Sequence, residues 1–315
     1  MRVCVLVANR AFDTGLSSVL DTLQTANELS PASESGPAFA VEVCGVAKRV
    51  TTQQGLRLPL RRLPRSAPDV VIVPALGAKT ADSLATALEQ REIADMCALL
   101  REWSQAGALV GAACTATFVI AHAGLLDGRR ATTSWWLGPS FRARFPRVLL
   151  EDSRIIVPAR GFITAGAALA HVDLALWLVR RHSPGLAQRT ANFLTFDDRQ
   201  LQTGYVMSQH VALSDPLVEK FEHWARRNLV GFSLETAARA LGASPRTLER
   251  HVSRVLGKSP LSVVQELRVD KALQRLRAGR SSLEEIAAEV GYSDAVTLRT
   301  LLRRKTGRGL RELRR

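Results

Sequence analysis

Cysteine is scarce in this chain. Its 315 residues include four, Cys4, Cys44, Cys97 and Cys114. They are scattered, with neither the CxxC spacing of a zinc site nor the density of a disulfide scaffold. A fold stapled by metal or disulfides is thereby excluded, and a reducing cytoplasm is the expected setting. Long apolar runs are missing too. Nothing approaches the ~18 consecutive apolar residues of a membrane span, so no membrane partner is expected. The run Val3 to Ala8 is too short for a secretory signal and reads as a first strand. There is no low-complexity tract, and neither a cofactor nor a metal is expected. Acidic residues are in short supply: 29 Asp+Glu stand against 43 Lys+Arg, a net charge of +14. An excess of that sign suits a polyanion, usually nucleic acid and less often an anionic membrane surface.

What is present is a globular composition, 46% hydrophobic and 23% charged, on a chain long enough for two domains with their own cores. The charge is uneven. Residues 215–315 hold 21 Lys+Arg and 12 Asp+Glu, a net of +9, while the other 214 residues hold 22 and 17, a net of +5.

Residues 1–183 alternate strand-like and helix-like segments. Val3–Ala8, Phe39–Cys44, Asp69–Pro74 and Ala108–Cys114 read as strands, the third with β-branched residues on both faces, as in a buried parallel strand. Leu16, Val19, Leu20, Leu23 and Ala26 have helical spacing. Ala81–Gln105, Thr115–Ala123 and Ala167–Arg181 also read as helical, and Ile155–Pro158 and Gly161–Thr164 as short strands. This rhythm predicts an α/β fold with a doubly wound, mainly parallel sheet. Ser183-Pro-Gly185 breaks the last helix. Residues 184–214 show no sustained period and read as a linker or arm. From Asp215-Pro216 onward, residues 215–315 read as an all-α domain.

That domain contains one pattern twice. The first copy is Glu235-Thr-Ala-Ala-Arg-Ala-Leu-Gly242-Ala-Ser244-Pro-Arg-Thr-Leu248; the second is Glu284-Glu-Ile-Ala287-Ala-Glu-Val-Gly291-Tyr-Ser293-Asp-Ala-Val-Thr-Leu298. An Ala four residues before each Gly lets two helices cross closely, and the Gly takes a positive-φ turn position. Ser244 and Ser293 are placed to cap the second helix of each pair, with Pro245 in its first turn. This is the spacing of two helix-turn-helix motifs. Pro260 to Leu276 predicts one continuous helix between them. If it sets the motifs about one duplex turn apart, ~34 Å, both recognition helices reach successive major grooves.

Arginine can bond guanine bidentately, and threonine offers a methyl and a hydroxyl. The candidate DNA-contacting residues are therefore Arg246, Thr247 and Arg250 in the first recognition helix, flanked by Ser244 and Arg254. In the second they are Asp294, Ala295, Thr297, Arg299 and Thr300, with Arg303, Arg304 and Lys305 assigned to phosphates. A solvated helix face remains the alternative for any single arginine.

From Phe232 to Arg315 the chain resembles the AraC/XylS-type DNA-binding domain, on Ser244-Pro-Arg-Thr-Leu-Glu-Arg250, Ile286-Ala-Ala-Glu-Val-Gly-Tyr-Ser293 and Leu302-Arg-Arg-Lys-Thr-Gly307. It departs from that pattern at Leu298 and Leu302, where the family usually has Phe, and at Gly309, where it usually has Pro.

Cys114 ends a strand and begins a helix. On spacing alone it is either a thiol exposed at the carboxyl edge of the sheet, its pKa lowered by helix amides, or a packed core residue. The segment Cys114-Thr-Ala-Thr-Phe-Val-Ile-Ala-His-Ala-Gly-Leu-Leu-Asp-Gly-Arg-Arg-Ala-Thr-Thr-Ser-Trp135 resembles the PfpI-type, class I glutamine-amidotransferase-like domain that GlxA-type regulators fuse to AraC modules, a resemblance covering about residues 1–182. It implies a nucleophilic cysteine at Cys114 and a His where this chain has Ser134. A serine hydroxyl cannot act as that base near pH 7. His171 could take that place spatially, but it and His122 sit on helices and read as packed residues. No catalytic residue is therefore assigned.

The expectation is a ligand pocket lined by Cys114, Thr115, Ser134 and Trp135 with Asp13 from an early loop. Trp135 and Trp136 form either a wall of that pocket or a core or dimer contact. The resemblance implies a transcriptional regulator, more often an activator, with promoter DNA, RNA polymerase, a second copy of the chain and a nitrogenous small-molecule inducer as partners. The alternative is a Cys-dependent hydrolase or lyase carrying a DNA-targeting domain.

Overall fold

Apolar residues on alternate positions of the strands send side chains to two opposite cores, and this sets the architecture of the N-terminal half. The computed structural model describes residues 1–30, 37–196, 215–279, 281–306 and 309–313, which fall into two units, Met1–Gln200 and Leu201–Arg315. In the first, chain order runs β1 (Arg2–Leu6), α1 (Asp13–Leu29), β2 (Ala40–Cys44), β3 (Arg49–Thr51), β4 (Arg57–Pro59), β5 (Val70–Val73), α2 (Ala81–Leu88), α3 (Arg91–Gln105), β6 (Leu109–Ala113), α4 (Ala116–His122), β7 (Arg130–Ala131), α5 (Gly138–Arg144), β8 (Leu149–Leu150), β9 (Ile156–Ala159), β10 (Phe162–Ala165), α6 (Ala170–His182) and α7 (Pro184–Phe193).

A six-stranded sheet has the order β2-β1-β5-β6-β10-β9. All its pairings are parallel except that of β9 with β10. Cys4, Leu6, Val71 and Val73 pack on one face with Leu84, Leu100 and Val119. Val3, Val5 and Ile72 pack on the other with Leu16, Leu23 and Leu174. The strand period of two thus feeds both cores, as a sheet covered by helices on both faces requires.

Three features depart from expectation. The Ala81–Gln105 region is two helices, because Gln90 is extended and starts α3 afresh. The pairs β3–β4 and β7–β8 have no counterpart in the sequence pattern; each strand has only two or three residues, too few to show a period. The segment after Ser183 is not featureless. The Ser183 Oγ accepts the Leu186 amide at 3.3 Å, Pro184 occupies the first turn of α7, and Leu186 and Ala187 join the α1/α6 core. The breaker that ends one helix therefore begins another. The remainder of the expected linker, 197–214, lies outside the described residues, as do Gly307, Arg314 and Arg315.

The second unit is helical: α8 (Pro216–Arg227), α9 (Leu234–Ala240), α10 (Pro245–Leu256), α11 (Pro260–Ala278), α12 (Leu283–Val290), α13 (Ala295–Thr306) and α14 (Leu310–Leu313). Phe221, Ala238, Leu248 and Val252 form one core with the start of α11, and Ile286, Ala287, Leu298 and Leu302 form a second with its end. Leu298 and Leu302 are buried there, filling the positions the resemblance assigns to Phe. Among the described residues no helix is long and apolar enough to cross a membrane.

Candidate functional site

The two helix pairs α9–α10 and α12–α13 have the geometry their sequences predict. Ala238 and Ala287 are buried at the crossings, and Gly242 and Gly291 take φ of +66° and +87°. The Ser244 Oγ accepts the Thr247 amide at 3.1 Å, capping α10. The second cap differs from expectation. Asp294, not Ser293, caps α13: its Oδ1 accepts the Thr297 amide at 2.7 Å and its Oδ2 the Thr297 hydroxyl at 2.8 Å. The reason is one extra residue in the turn. Pro245 opens α10 three positions after Gly242, whereas Ala295 opens α13 four positions after Gly291.

The buried faces then define the outward ones. At about 100° per residue, Arg246, Arg250 and Ser253 point away from the buried Leu248 and Val252, and Val296, Thr300 and Arg303 point away from the buried Leu298, Leu301 and Leu302. Arg246, Arg250, Arg299, Arg303 and Arg304 are exposed and pair with no carboxylate among the described residues.

Other candidates are already engaged. Ser244 and Thr247 share a hydroxyl–hydroxyl contact of 2.8 Å within the cap, Asp294 and Thr297 are occupied by theirs, and Ala295 is half-buried. Arg254 and His251 both reach the Asp215 Oδ2 at 2.6 Å. Burial of Asp215 opposes its charge, but bonds from His251, Arg254 and the Leu217 amide outweigh that and hold its pKa below the usual carboxylate value. Lys305 lies 3.5 Å from Glu266, which also binds Lys258 at 2.9 Å; the expected phosphate contact is in this structure a tie between the two modules. Val296, absent from the sequence-based candidates, could have been found by projecting α13 from its three buried leucines.

A second tie crosses the same gap. Arg268 on α11 donates to the Leu229 carbonyl at 3.1 and 2.6 Å and lies 5.0 Å from the Tyr292 ring centroid. A Cβ on Gly291 would stand 2.6 Å from the Leu229 carbonyl oxygen, so this close approach requires glycine.

In the α/β unit, β6 ends at Ala113 and is followed by Cys114, which has φ of +57°. Its amide bonds Ala165, its carbonyl accepts the Thr133 hydroxyl at 2.8 Å, and its Sγ accepts the Ser134 hydroxyl at 2.8 Å. Thr115, the next residue, donates its hydroxyl to the Leu76 carbonyl at 2.8 Å. Cys114, Thr115 and Ser134 therefore meet, but inside the protein. Cys114 is 5% exposed and Ser134 fully buried. Of the two alternatives for Cys114, the structure has the enclosed one: burial pushes the Cys114 thiol up, and the bonds from Ser134 and Thr115 oppose this only in part.

Trp135 is half-buried, with its ring centroid 5.6 Å from that of Trp136. Asp13 is half-buried at the start of α1, where its Oδ2 accepts the Gln54 amide at 3.0 Å. The loops after β1, β5 and β6 adjoin in strand order, so Asp13 and Cys114 share the carboxyl edge of the sheet, separated by β5.

His171 is fully buried. Its Nε2 accepts the Ala75 amide at 3.1 Å and its Nδ1 bonds the Ala168 carbonyl at 2.7 Å. These partners fix a neutral ring protonated at Nδ1, and burial pushes its pKa down to about 4. His171 is a packing element, as its helix position suggested. His122, read from the sequence as packed, is instead exposed at the end of α4.

Comparisons with known proteins follow the same division. The DJ-1/PfpI family profile matches residues 1–181, and a helix-turn-helix domain profile matches residues 237–315. The HTH-type transcriptional regulator GlxA of Rhizobium meliloti is 29% identical over 203 residues, 62% of this chain and 61% of that protein; the chain thus spans about three fifths of that relative's length. The HTH-type transcriptional regulator GbdR of Pseudomonas aeruginosa is 24% identical over 282 residues, 88% of this chain and 74% of that protein. Among solved structures, an AraC family transcriptional regulator from Pseudomonas putida superposes with a TM-score of 0.52 at 22% identity, covering 61% of this chain and 98% of the other. That likeness is one of fold.

Proposed function

Because the chain belongs to the DJ-1/PfpI family and closes with a tandem helix-turn-helix domain of AraC type, we propose that it regulates transcription by binding a promoter site in double-stranded DNA. The observation that carries this reading is the pair of recognition helices whose exposed arginines have no carboxylate partner among the described residues. Arg246 and Arg250 read bases in the first helix and Arg299 and Thr300 in the second, while Arg303 and Arg304 hold phosphates. Ser244, Thr247, Asp294 and Thr297 preorganise the helix starts. Regulators being the named relatives, GlxA and GbdR, supports the same reading. The test is a gel shift of the full chain on its own upstream DNA against a scrambled duplex, repeated at rising salt. Specific binding that weakens steeply as counterions are released is expected; equal affinity for both duplexes would refute it.

The α/β unit then acts as the sensor. The proposed site is the sheet edge at Cys114, Thr115, Ser134, Trp135 and Asp13, and its ligand a nitrogenous small molecule. Trp135 and Asp13, half-buried, are the open part of that edge. The unit also joins two copies, and the bound dimer activates through RNA polymerase. A ligand that binds only the folded form raises the melting temperature by mass action, so a thermal-shift screen of the full chain identifies it. Sedimentation at micromolar concentration tests the dimer.

Turnover is not part of this proposal. A thiol mechanism needs a base that takes the proton and an acid that returns it; the Ser134 hydroxyl does neither, and both His171 nitrogens are committed. The rival hydrolase or lyase reading draws on the positive φ of Cys114 and the hydroxyl at its sulfur. Amidase or peptidase activity that disappears in Cys114→Ser would restore it.

A further inference from the structure

A lone exposed apolar side chain on an ordinary surface helix means little. Val296 is in a different position. It is the second residue of α13, 68% exposed, and it stands on the outward face directly opposite the buried Leu298. The helices open fifty positions apart, at Pro245 and Ala295, so Val296 corresponds to Arg246 of the first module and Thr300 to Arg250. Where the first helix presents two guanidinium groups, the second presents two branched methyl-bearing side chains. Val296 and Thr300 line a groove beside α13 together with Gln265, Tyr292 and Arg304.

The charge around this apolar spot defines its occupant. Arg304 lines the same groove, and Arg299 and Arg303 stand on the same helix, all three exposed and without a carboxylate partner among the described residues. An apolar protein ligand would leave these cations uncompensated; a duplex places phosphates on Arg303 and Arg304 and base edges against Arg299 and the valine. Valine can neither donate nor accept a hydrogen bond. In the major groove the base-edge feature it can recognise is the C5 methyl of thymine, whereas arginine recognises guanine N7 and O6.

We infer that Val296 reads a thymine methyl group, so that the second module selects thymine at the position where the first, through Arg246, selects guanine. This rests on the DNA-binding reading above and sharpens it: the two halves of the site differ in composition.

The experiment uses the full chain and a site enriched by it from a random duplex library. Each thymine of that site is replaced in turn by deoxyuridine, which removes only the methyl. Wild-type binding is expected to weaken about fourfold at one position, the value of burying one methyl-sized group. Val296→Ala is expected to bind the thymine site more weakly than wild type, to lose that discrimination and to keep the wild-type melting temperature, since the side chain is exposed. A site in which no uracil lowers affinity, or in which Val296→Ala keeps every wild-type penalty, overturns the inference. Failure to enrich any sequence overturns the DNA-binding reading itself, and this inference with it.

Discussion

In the α/β unit, Cys114, Ser134 and His171 are buried and bonded to neighbours. In the helical unit, Arg246, Arg250, Arg299, Arg303 and Arg304 are exposed and unpaired among the described residues. One unit encloses its thiol, hydroxyl and imidazole groups; the other displays its charged groups. The difference is physical as well as functional. A buried polar group must be satisfied by protein partners, and that satisfaction removes the proton donor or acceptor a reaction would use. An exposed guanidinium has only water and counterions to surrender to a phosphate.

The largest expected effect tests the inward half of this contrast. His171 is held neutral, with a folded pKa of about 4 against an ordinary 6.5. A base whose folded pKa is depressed contributes its full stabilisation above the unfolded value and loses it as pH falls from 6.5 towards 4. That amounts to about 3 kcal/mol. Denaturant unfolding at pH 7 and pH 4 should show this loss in the wild type and lack it in His171→Asn. An identical pH dependence in both would mean that the ring is not locked as described.

Next come the two turn glycines, alike in φ but not in surroundings. At Gly242 an added Cβ meets nothing within 4 Å, whereas at Gly291 it meets the Leu229 carbonyl at 2.6 Å. Gly242→Ala should cost about 1 kcal/mol, the left-handed backbone penalty alone. Gly291→Ala should cost about 2–3 kcal/mol, because a backbone atom must also move. Equal melting shifts would show that the Leu229–Gly291 approach does not hold the modules together.

A smaller effect separates two arginines of one helix. Arg250→Ala should weaken specific DNA binding by about 1–2 kcal/mol and leave folding intact. Arg254→Ala breaks the bond to Asp215 and should act on stability while leaving sequence preference unchanged. Loss of preference in Arg254→Ala would return that residue to the base-reading set.

Much of this was legible in the chain. The Ala–Gly–Ser spacing around Gly242 and Gly291 fixed two crossings, and valine runs such as Val70–Val73 identified the buried strands. The second purpose of a residue carries no such mark. Arg254 and Lys305 look like any cation on a basic helix, and their acids, Asp215 and Glu266, lie 39 residues away in sequence in each case. Asp294 looked like a base reader because the extra turn residue that makes it the cap is visible only by aligning the helix starts. Cys114 was placed correctly at the strand end, but its burial depends on Thr133 and Ser134 arriving from another loop, which no local pattern encodes. Val296 gives no signal of its own in the sequence, because an apolar residue in a helix is normally counted towards the core.

The smallest effect expected on folding belongs to Cys114, and it bears on the contrast from which the rest follows. A thiolate, not a thiol, attacks an alkylating agent. With its pKa pushed up by burial and its sulfur enclosed, Cys114 should resist iodoacetamide at neutral pH in the native protein and react readily once unfolded. Cys114→Ser keeps a group that can bond Ser134, so it should shift stability by less than about 1 kcal/mol, the scale of one net hydrogen bond. DNA affinity without inducer should be unchanged. If the sheet edge is the sensor site, the response to the inducer found by thermal shift should change in this variant. An unchanged response would leave Cys114 a packing residue. Rapid native alkylation at this position would show instead that the α/β unit displays its reactive group as openly as the helical unit displays its arginines.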